Sequence, residues 1–340
     1  MKYNIAIIGF GNVGQGLAEI LATKGALIKD QYSVDIRIVA ICDLLKGSIA
    51  DPEGIDPRST LEHIKTEGNL KNFSAPHTGW NALETIEKSN ANVLVELSYT
   101  DLNTGEPALS HIIKALKKGM NIATTNKGPA ALHFPKLLEL SAEFGGQIGV
   151  EGTVMSGTPT LTLGMKSLVP AGIKKIQGIL NGTTNYILGE MESGAEYEEA
   201  LADAQAKGYA EADPTGDVDG HDAAAKVVIL ANLVMGQSMT IEEVDCTGIS
   251  KLTKTDIEEA ISNNQRWKLI GTIEKENDKI SGSVKPIKVS NSHPLHGVGG
   301  ATNAVTFTTN LLGEVTLIGP GAGRIETGYA LIEDILSFSK

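Results

Sequence analysis

Cysteine is nearly missing from this chain: Cys42 and Cys246 are the two in 340 residues. They stand far apart and in no motif, which excludes a disulfide scaffold and suits a reducing compartment. Aromatic residues are also scarce, at 4%. Together with 38 glycines, that composition favours a loop-rich α/β enzyme over an interaction scaffold. Positive charge is in deficit: 29 Lys and Arg face 41 Asp and Glu, a net charge of −12. Nucleic acid and anionic membrane are therefore poor partners. No apolar run has the length of a membrane span, and the opening MKYNIAIIGFGNVG enters a strand without a signal core. The expectation is a soluble cytoplasmic protein, long enough for two domains with cores of their own.

What is present begins at Asn4–Ile8, a short apolar strand followed by Gly9-Phe10-Gly11-Asn12-Val13-Gly14 and a helical pattern through Leu17, Ile20 and Leu21. In that setting GxGxxG is a dinucleotide-binding turn. Gly9 permits the turn, Gly11 lets backbone approach a pyrophosphate, Gly14 seats the helix on the strand, and the phosphates meet the helix N-terminus. A second strand, Asp35–Cys42, ends in Asp43, placed for a ribose hydroxyl and favouring NAD. Lys46, three residues on, is placed for a 2′-phosphate, so NAD and NADP both stay open. Residues 44–90 read as irregular, with short helices near Thr60–Thr66 and Asn81–Ser89. The strand Asn92–Leu97 delivers Ser98 and Tyr99, and the strand Asn121–Thr124 delivers Lys127, to the carboxyl edge where such sheets bind ligands. The helix Phe134–Phe144 and strand Ile148–Val150 complete the sheet. The fold class is α/β: a Rossmann-type domain, 1–150, completed by a C-terminal helix, 319–340.

Residues 151–318 read as an α+β substrate and dimerisation domain with a mostly antiparallel sheet. Its strands are Ile173–Leu180, Arg266–Lys275, Lys279–Val289, Ala304–Thr309 and Glu314–Ile318. The turn Asn181-Gly182-Thr183-Thr184-Asn185 opens a helix, with Thr183 or Thr184 as cap, and the same small polar turn suits an α-carboxylate. His293 and His296 lack a third ligand for zinc. Gly319-Pro320-Gly321-Ala322-Gly323 promises close backbone approach, Gly323 to the cofactor.

The densest signal is GYAEADPTGDVDGHDAAAKVVILANL, residues 208–233. Glu211, Asp213, Asp217, Asp219 and Asp222 crowd a broken loop that enters an almost wholly apolar helix carrying one lysine, Lys226. A lysine buried there requires a carboxylate, and Asp222 stands one turn away on the same face. Two readings follow: Asp219 and Asp222 cap the helix beside a structural ion pair, or the acids bind a cationic, hydroxyl-bearing substrate while Lys226 moves a proton.

GFGNVG, TTNKGP, EGTVMSGTP, GILNGTTNYIL and AKGYAEADPTGDVDGHDAAAKVVILA, in that order, resemble homoserine dehydrogenase over nearly the whole chain. The resemblance is to the short form, without aspartokinase module or regulatory domain. It implies reversible NAD(P)-dependent interconversion of L-homoserine and L-aspartate 4-semialdehyde, on the route to threonine and methionine, by a homodimer. It implies Lys226 as the proton-transfer lysine, oriented by Asp222, and Lys127 as a second lysine where nicotinamide and substrate meet. Glu211 and Asp217 are implied ligands of the substrate amino group and its neighbouring water or lysine. Glu151, Val154, Ser156 and Thr158 resemble a monovalent-cation (Na+) site made largely by backbone carbonyls. The sequence Asp43-Leu44-Leu45-Lys46 departs from the basic residue that the family often carries after strand two. Two rivals differ from this reading. Another dehydrogenase on the same plan would be separated by assaying other amino alcohols, and a non-catalytic dinucleotide sensor would show no turnover.

Overall fold

The computed structural model describes residues 1–277 and 279–338, which divide into two compact units: Met1–Gly157 together with the chain from Gly323 onward, and Thr158–Ala322. The first division thus falls a few residues after the expected 150/151 boundary, and the second a few residues after 318/319.

The first unit is an α/β layer structure. Its strands are β1 (Lys2–Ile8), β2 (Asp35–Asp43), β3 (Gly47–Ala50), β4 (His77–Thr78), β5 (Val93–Glu96), β6 (Asn121–Thr124) and β7 (Ile148–Gly149), in sheet order β4-β3-β2-β1-β5-β6-β7. β2, β1, β5, β6 and β7 are parallel. Ile5, Ile7, Ile38, Ile41, Val93 and Val95 are buried, as strands covered on both faces demand. Six helices connect them: α1 (Asn12–Tyr32), α2 (Pro57–Glu67), α3 (Ala82–Lys88), α4 (Ala108–Lys117), α5 (Lys127–Leu132) and α6 (Phe134–Phe144). The chain runs from β1 outward to β2 on one side and resumes with β5 on the other. The carboxyl ends of β1 and β5 therefore frame the crevice where open sheets bind ligands. The stretch expected to be irregular contains β3 and β4, which pair antiparallel beyond β2. Gly-Ser-Ile-Ala is too short a run to announce a strand; pairing with the already formed β2 makes it one.

The second unit opens with α7 (Thr160–Thr162), which runs on as wider and then tighter helical turns to Ala171, and carries β8 (Ile173–Ile179), α8 (Gly182–Glu192), α9 (Tyr197–Ala206), α10 (Thr215–Val218), α11 (His221–Leu233), β9 (Val244–Cys246), α12 (Lys254–Ser262), β10 (Gln265–Glu276), β11 (Lys279–Ser290), β12 (Thr302–Thr309) and β13 (Gly313–Pro320). Its sheet, β13-β12-β8-β10-β11-β9, is antiparallel except between β11 and β9. α11 packs on β10 and β11, and the fit is close because the sheet has no side chains beneath it at two points. A Cβ on Gly271 or Gly282 would stand 2.8 or 3.2 Å from the methyls of Val227. Residues Ala223–Ala231 are all buried; each Val, Ile or Leu among them stabilises the fold by ~1.5–3 kcal/mol. The last helix, α13 (Arg324–Ser337), belongs to the first unit and packs on α1. Of the helix expected over 319–340, residues 339 and 340 lie outside the described ones, and 319–320 are strand. Among the described residues no helix is long and apolar enough to cross a membrane.

Candidate functional site

In the first unit the turn after β1 is built as its sequence requires. Gly9 has φ 96°, and a side chain there would meet the Leu97 carbonyl oxygen at 2.3 Å. Gly14 backs onto the carbonyl of Gly9 in the same way. Gly11, the residue before α1, differs: nothing lies within 4 Å of where its Cβ would stand, and no side chain caps the helix. The first-turn amides of α1, beginning with Asn12 and Val13, are thus left for an anion. Phe10 turns its ring into the core and its N–H outward to Asp43 Oδ2 at 2.7 Å. The second Asp43 oxygen accepts from the amides of Leu45 and Lys46 at 3.0 and 2.9 Å. Partial burial desolvates this carboxylate, yet the backbone donors of Lys46, Phe10 and Leu45 and the Lys46 charge hold its pKa below the usual range. Asp43 is therefore a clamp between the glycine turn and the β2–β3 hairpin. A carboxylate offers about four acceptor positions, of which the backbone engages three.

A group that sequence reasoning missed organises the adjacent strand ends. Glu96, the last residue of β5, is fully buried. Its carboxylate accepts from the Ser98 hydroxyl and amide, lies 3.2 Å from His111 Nδ1, and accepts from Asn126 Nδ2 at 3.3 Å. Asn126 Nδ2 also reaches the carbonyls of Ser98 and Tyr99, while its Oδ1 caps α5 by accepting from Gly128 N. The turn carrying Ser98 and Tyr99 and the first residue of α5, Lys127, are tied together by this hub. Lys127 is half-buried and opens α5.

In the second unit the five acids of the crowded loop separate into distinct jobs. Asp213 accepts from the amide and hydroxyl of Thr215, starting α10. Asp219 accepts from Ser250 Oγ at 3.3 Å. Neither it nor Asp222 caps α11; the residue before that helix is Gly220, in the left-handed conformation and without a side-chain cap. Glu211 is exposed. Asp217 and Asp222 converge on one group, Asn181 Nδ2, at 2.6 and 3.1 Å. Asp222 Oδ2 also accepts from Lys226 Nζ at 2.7 Å, the i,i+4 pair foreseen from helix periodicity. Lys226 is 7% exposed and donates a second bond, at 2.7 Å, to the carbonyl of Leu180. Burial, and then the charge of Asp222, push the Asp217 carboxyl above its ordinary pKa, against the opposing Asn181 amide, Lys226 charge and Thr183 hydroxyl.

The cap of α8 is Asn181, whose Oδ1 accepts from Thr184 N at 2.9 Å, not Thr183 or Thr184. Thr183 instead donates to the carbonyl of Tyr209 at 2.6 Å, joining the helix start to the acidic loop. Among residues 151–158, Glu151, Val154 and Ser156 are buried, and Met155 and Ser156 both hold positive φ, 60° and 48°. The amide of Glu151 donates to Asp334 of α13, and the Thr158 hydroxyl to the carbonyl of Pro320. In the GPGAG segment the close approach is to the protein itself. A Cβ on Gly321 would stand 2.2–2.3 Å from the Asn303 carboxamide, and one on Gly323 2.1 Å from the Glu326 carboxylate.

Proteins of known family share this fold. A family model described as homoserine dehydrogenase matches residues 159–336. The chain is 43% identical to the NAD(+)-dependent homoserine dehydrogenase of Pseudomonas canavaninivorans, over 98% of this chain and 96% of that one. The crystal structure of a putative homoserine dehydrogenase from Archaeoglobus fulgidus superposes with a TM-score of 0.89 at 34% identity, covering 99% of both chains. A hyperthermophilic archaeal homoserine dehydrogenase in complex with NADPH superposes at 0.85, with 33% identity over 100% of this chain and 98% of the other. With a shared architecture and identity sustained from end to end, the chain belongs to the homoserine dehydrogenase family.

Proposed function

We propose that the chain interconverts L-homoserine and L-aspartate 4-semialdehyde, with the first unit binding NAD or NADP and the second binding substrate. The glycine turn fits the dinucleotide: Gly11 leaves open space beside uncapped helix amides, and Asp43 holds the turn in place. When bound, the nicotinamide supplies the hydride carrier. The observation that carries the assignment is Lys226. Asp222 and the Leu180 carbonyl engage two of its nitrogen positions. The third is a donor when the group is charged and a lone pair when it is neutral. Two fixed bonds aim that position, so Lys226 takes the proton from the substrate hydroxyl as the alcohol carbon is oxidised, and returns it in reduction. Lys127, set by Asn126 at the strand ends, is assigned as the second lysine. Asp217 and the exposed Glu211 face the substrate ammonium, and Thr183 with the start of α8 its carboxylate. The direct test is homoserine-dependent formation of NADH and NADPH, compared at equal cofactor. Asp43 and the sparse positive charge beside it lead us to expect broad use or a tilt toward NAD.

Glu211→Ala is expected to raise KM for homoserine with little change in kcat, because a contact to the substrate ammonium is made in ground and transition states alike. An unchanged KM would make the exposed carboxylate a bystander.

The buried 151–158 backbone, with two consecutive left-handed residues, suits a monovalent ion held by carbonyls. Divalent ions call for several carboxylates, and the described residues hold no cluster of three or more acids, His or Cys able to bind one. Activity in NaCl against choline chloride reads this directly. We also assign a cytoplasmic homodimer. The second-unit sheet carries an edge strand, β13, with exposed Ile318, a surface a second copy would cover; light scattering measures the assembly.

A further inference from the structure

We propose that Asn181 is a positioning residue for this reaction: its single carboxamide gathers Asp217 and Asp222 and thereby sets the environment of the Lys226 amine. The inference rests on the assignment of Lys226 as the proton-transfer group. Asn181 is 4% exposed and sits where β8 ends and α8 begins. Its two ends are chemically distinguished. Oδ1 accepts from the Thr184 amide at 2.9 Å, which only an acceptor can do. Nδ2 donates to Asp217 Oδ1 at 2.6 Å and Asp222 Oδ2 at 3.1 Å, which only a donor can do. No other side chain of this size combines a helix-capping acceptor with two donors.

The charged groups facing it are Asp217 of α10 and Asp222 and Lys226 of α11. Two carboxylates brought together repel, and the costs of like charge and desolvation both fall on their ionised forms. The carboxamide offsets this with one N–H to each acid. Asp222 shares the same oxygen, Oδ2, between Asn181 and Lys226. The pull of Asp222 on the lysine proton is therefore tempered by the amide. Adjacent residues complete the mount: the Leu180 carbonyl, immediately before Asn181, accepts the other Lys226 bond. One short segment thus holds the lysine directly and through its acid.

Two variants separate this role from helix capping, since Ser and Asp are both good caps. Asn181→Asp keeps the cap but puts a third carboxylate where the donor stood. The added negative charge favours the ammonium form of Lys226, so less neutral base is present near pH 7. The rising, low-pH limb of kcat for homoserine oxidation should move up by about one pH unit, with ~10-fold lower kcat at neutral pH that recovers in base. Asn181→Ser keeps the cap and removes both acid contacts; its limb should move the same way by less. Melting temperatures and the pH profiles of both variants are measured beside Lys226→Ala. Limbs displaced in the order wild type, Ser, Asp support the proposal. A limb that stays in place in both variants overturns it, even if kcat or melting temperature falls, because a cap or packing role alone does not move a titration. If Lys226→Ala is itself active, it is the Lys226 assignment that has failed; if it is inactive while the limbs stay fixed, the role of Asn181 alone has failed.

Discussion

Lys226→Ala is expected to lower kcat for homoserine oxidation by ~10²–10⁴-fold, the range that a general acid–base group contributes, while dinucleotide affinity stays close to wild type. The hydrogen bonds of Lys226 go to Asp222 and the Leu180 carbonyl, while the glycine turn is held by its own strand ends and Asp43, so the turn keeps its bonds. The same change leaves Asp222 and the Leu180 carbonyl without the bonds they accept from Lys226, and breaking a buried ion pair is destabilising. Lys226→Met, which keeps most of the side-chain volume in this apolar helix, therefore belongs beside it, with melting curves for both. Loss of kcat in two folded variants assigns the chemistry to the amine. Activity within ten-fold of wild type in either would remove Lys226 from proton transfer.

Asp43→Ala is expected to lower kcat/KM for NAD and NADP together by ~10–100-fold, the equivalent of losing hydrogen bonds to a charged group worth ~1.5–3 kcal/mol. A residue that reads only the ribose would instead shift the ratio between cofactors and leave one of them well used. Here the carboxylate anchors Phe10 N in the glycine turn and the amides of Leu45 and Lys46 in the hairpin. Its removal loosens the phosphate cradle whichever dinucleotide enters. A change in the NAD to NADP ratio on top of the common loss measures the ribose contribution separately. Kinetics for both cofactors that match wild type would show that the clamp does not matter to binding. Asp43 also links stability to pH. Its folded pKa is depressed, so the stabilisation is present above the ordinary Asp range and is lost as pH falls through the folded value.

The glycine turn, its strand and its helix are contiguous, and glycine's permissive backbone is a property of the residue itself. That is why residues 4–21 announce a dinucleotide-binding turn without any tertiary information. The Asp222–Lys226 pair was legible for a similar reason: helix periodicity places i and i+4 side by side whatever else the chain does. Family membership also follows from residue order alone, through motifs spread along the whole length.

Tertiary structure decided which of five neighbouring acids do what. Composition could not separate Asp213 and Asp219, which accept from Thr215 and Ser250, from Asp217 and Asp222. The distinguishing partner, Asn181, is 36 and 41 residues away along the chain. The double duty of Asp43 and the Glu96 hub beneath Ser98 and Asn126 were hidden in the same way. Each depends on hydrogen-bond donors and acceptors brought together from distant segments. A sequence shows how many polar groups need partners, but only chain closure in three dimensions selects which partners they meet.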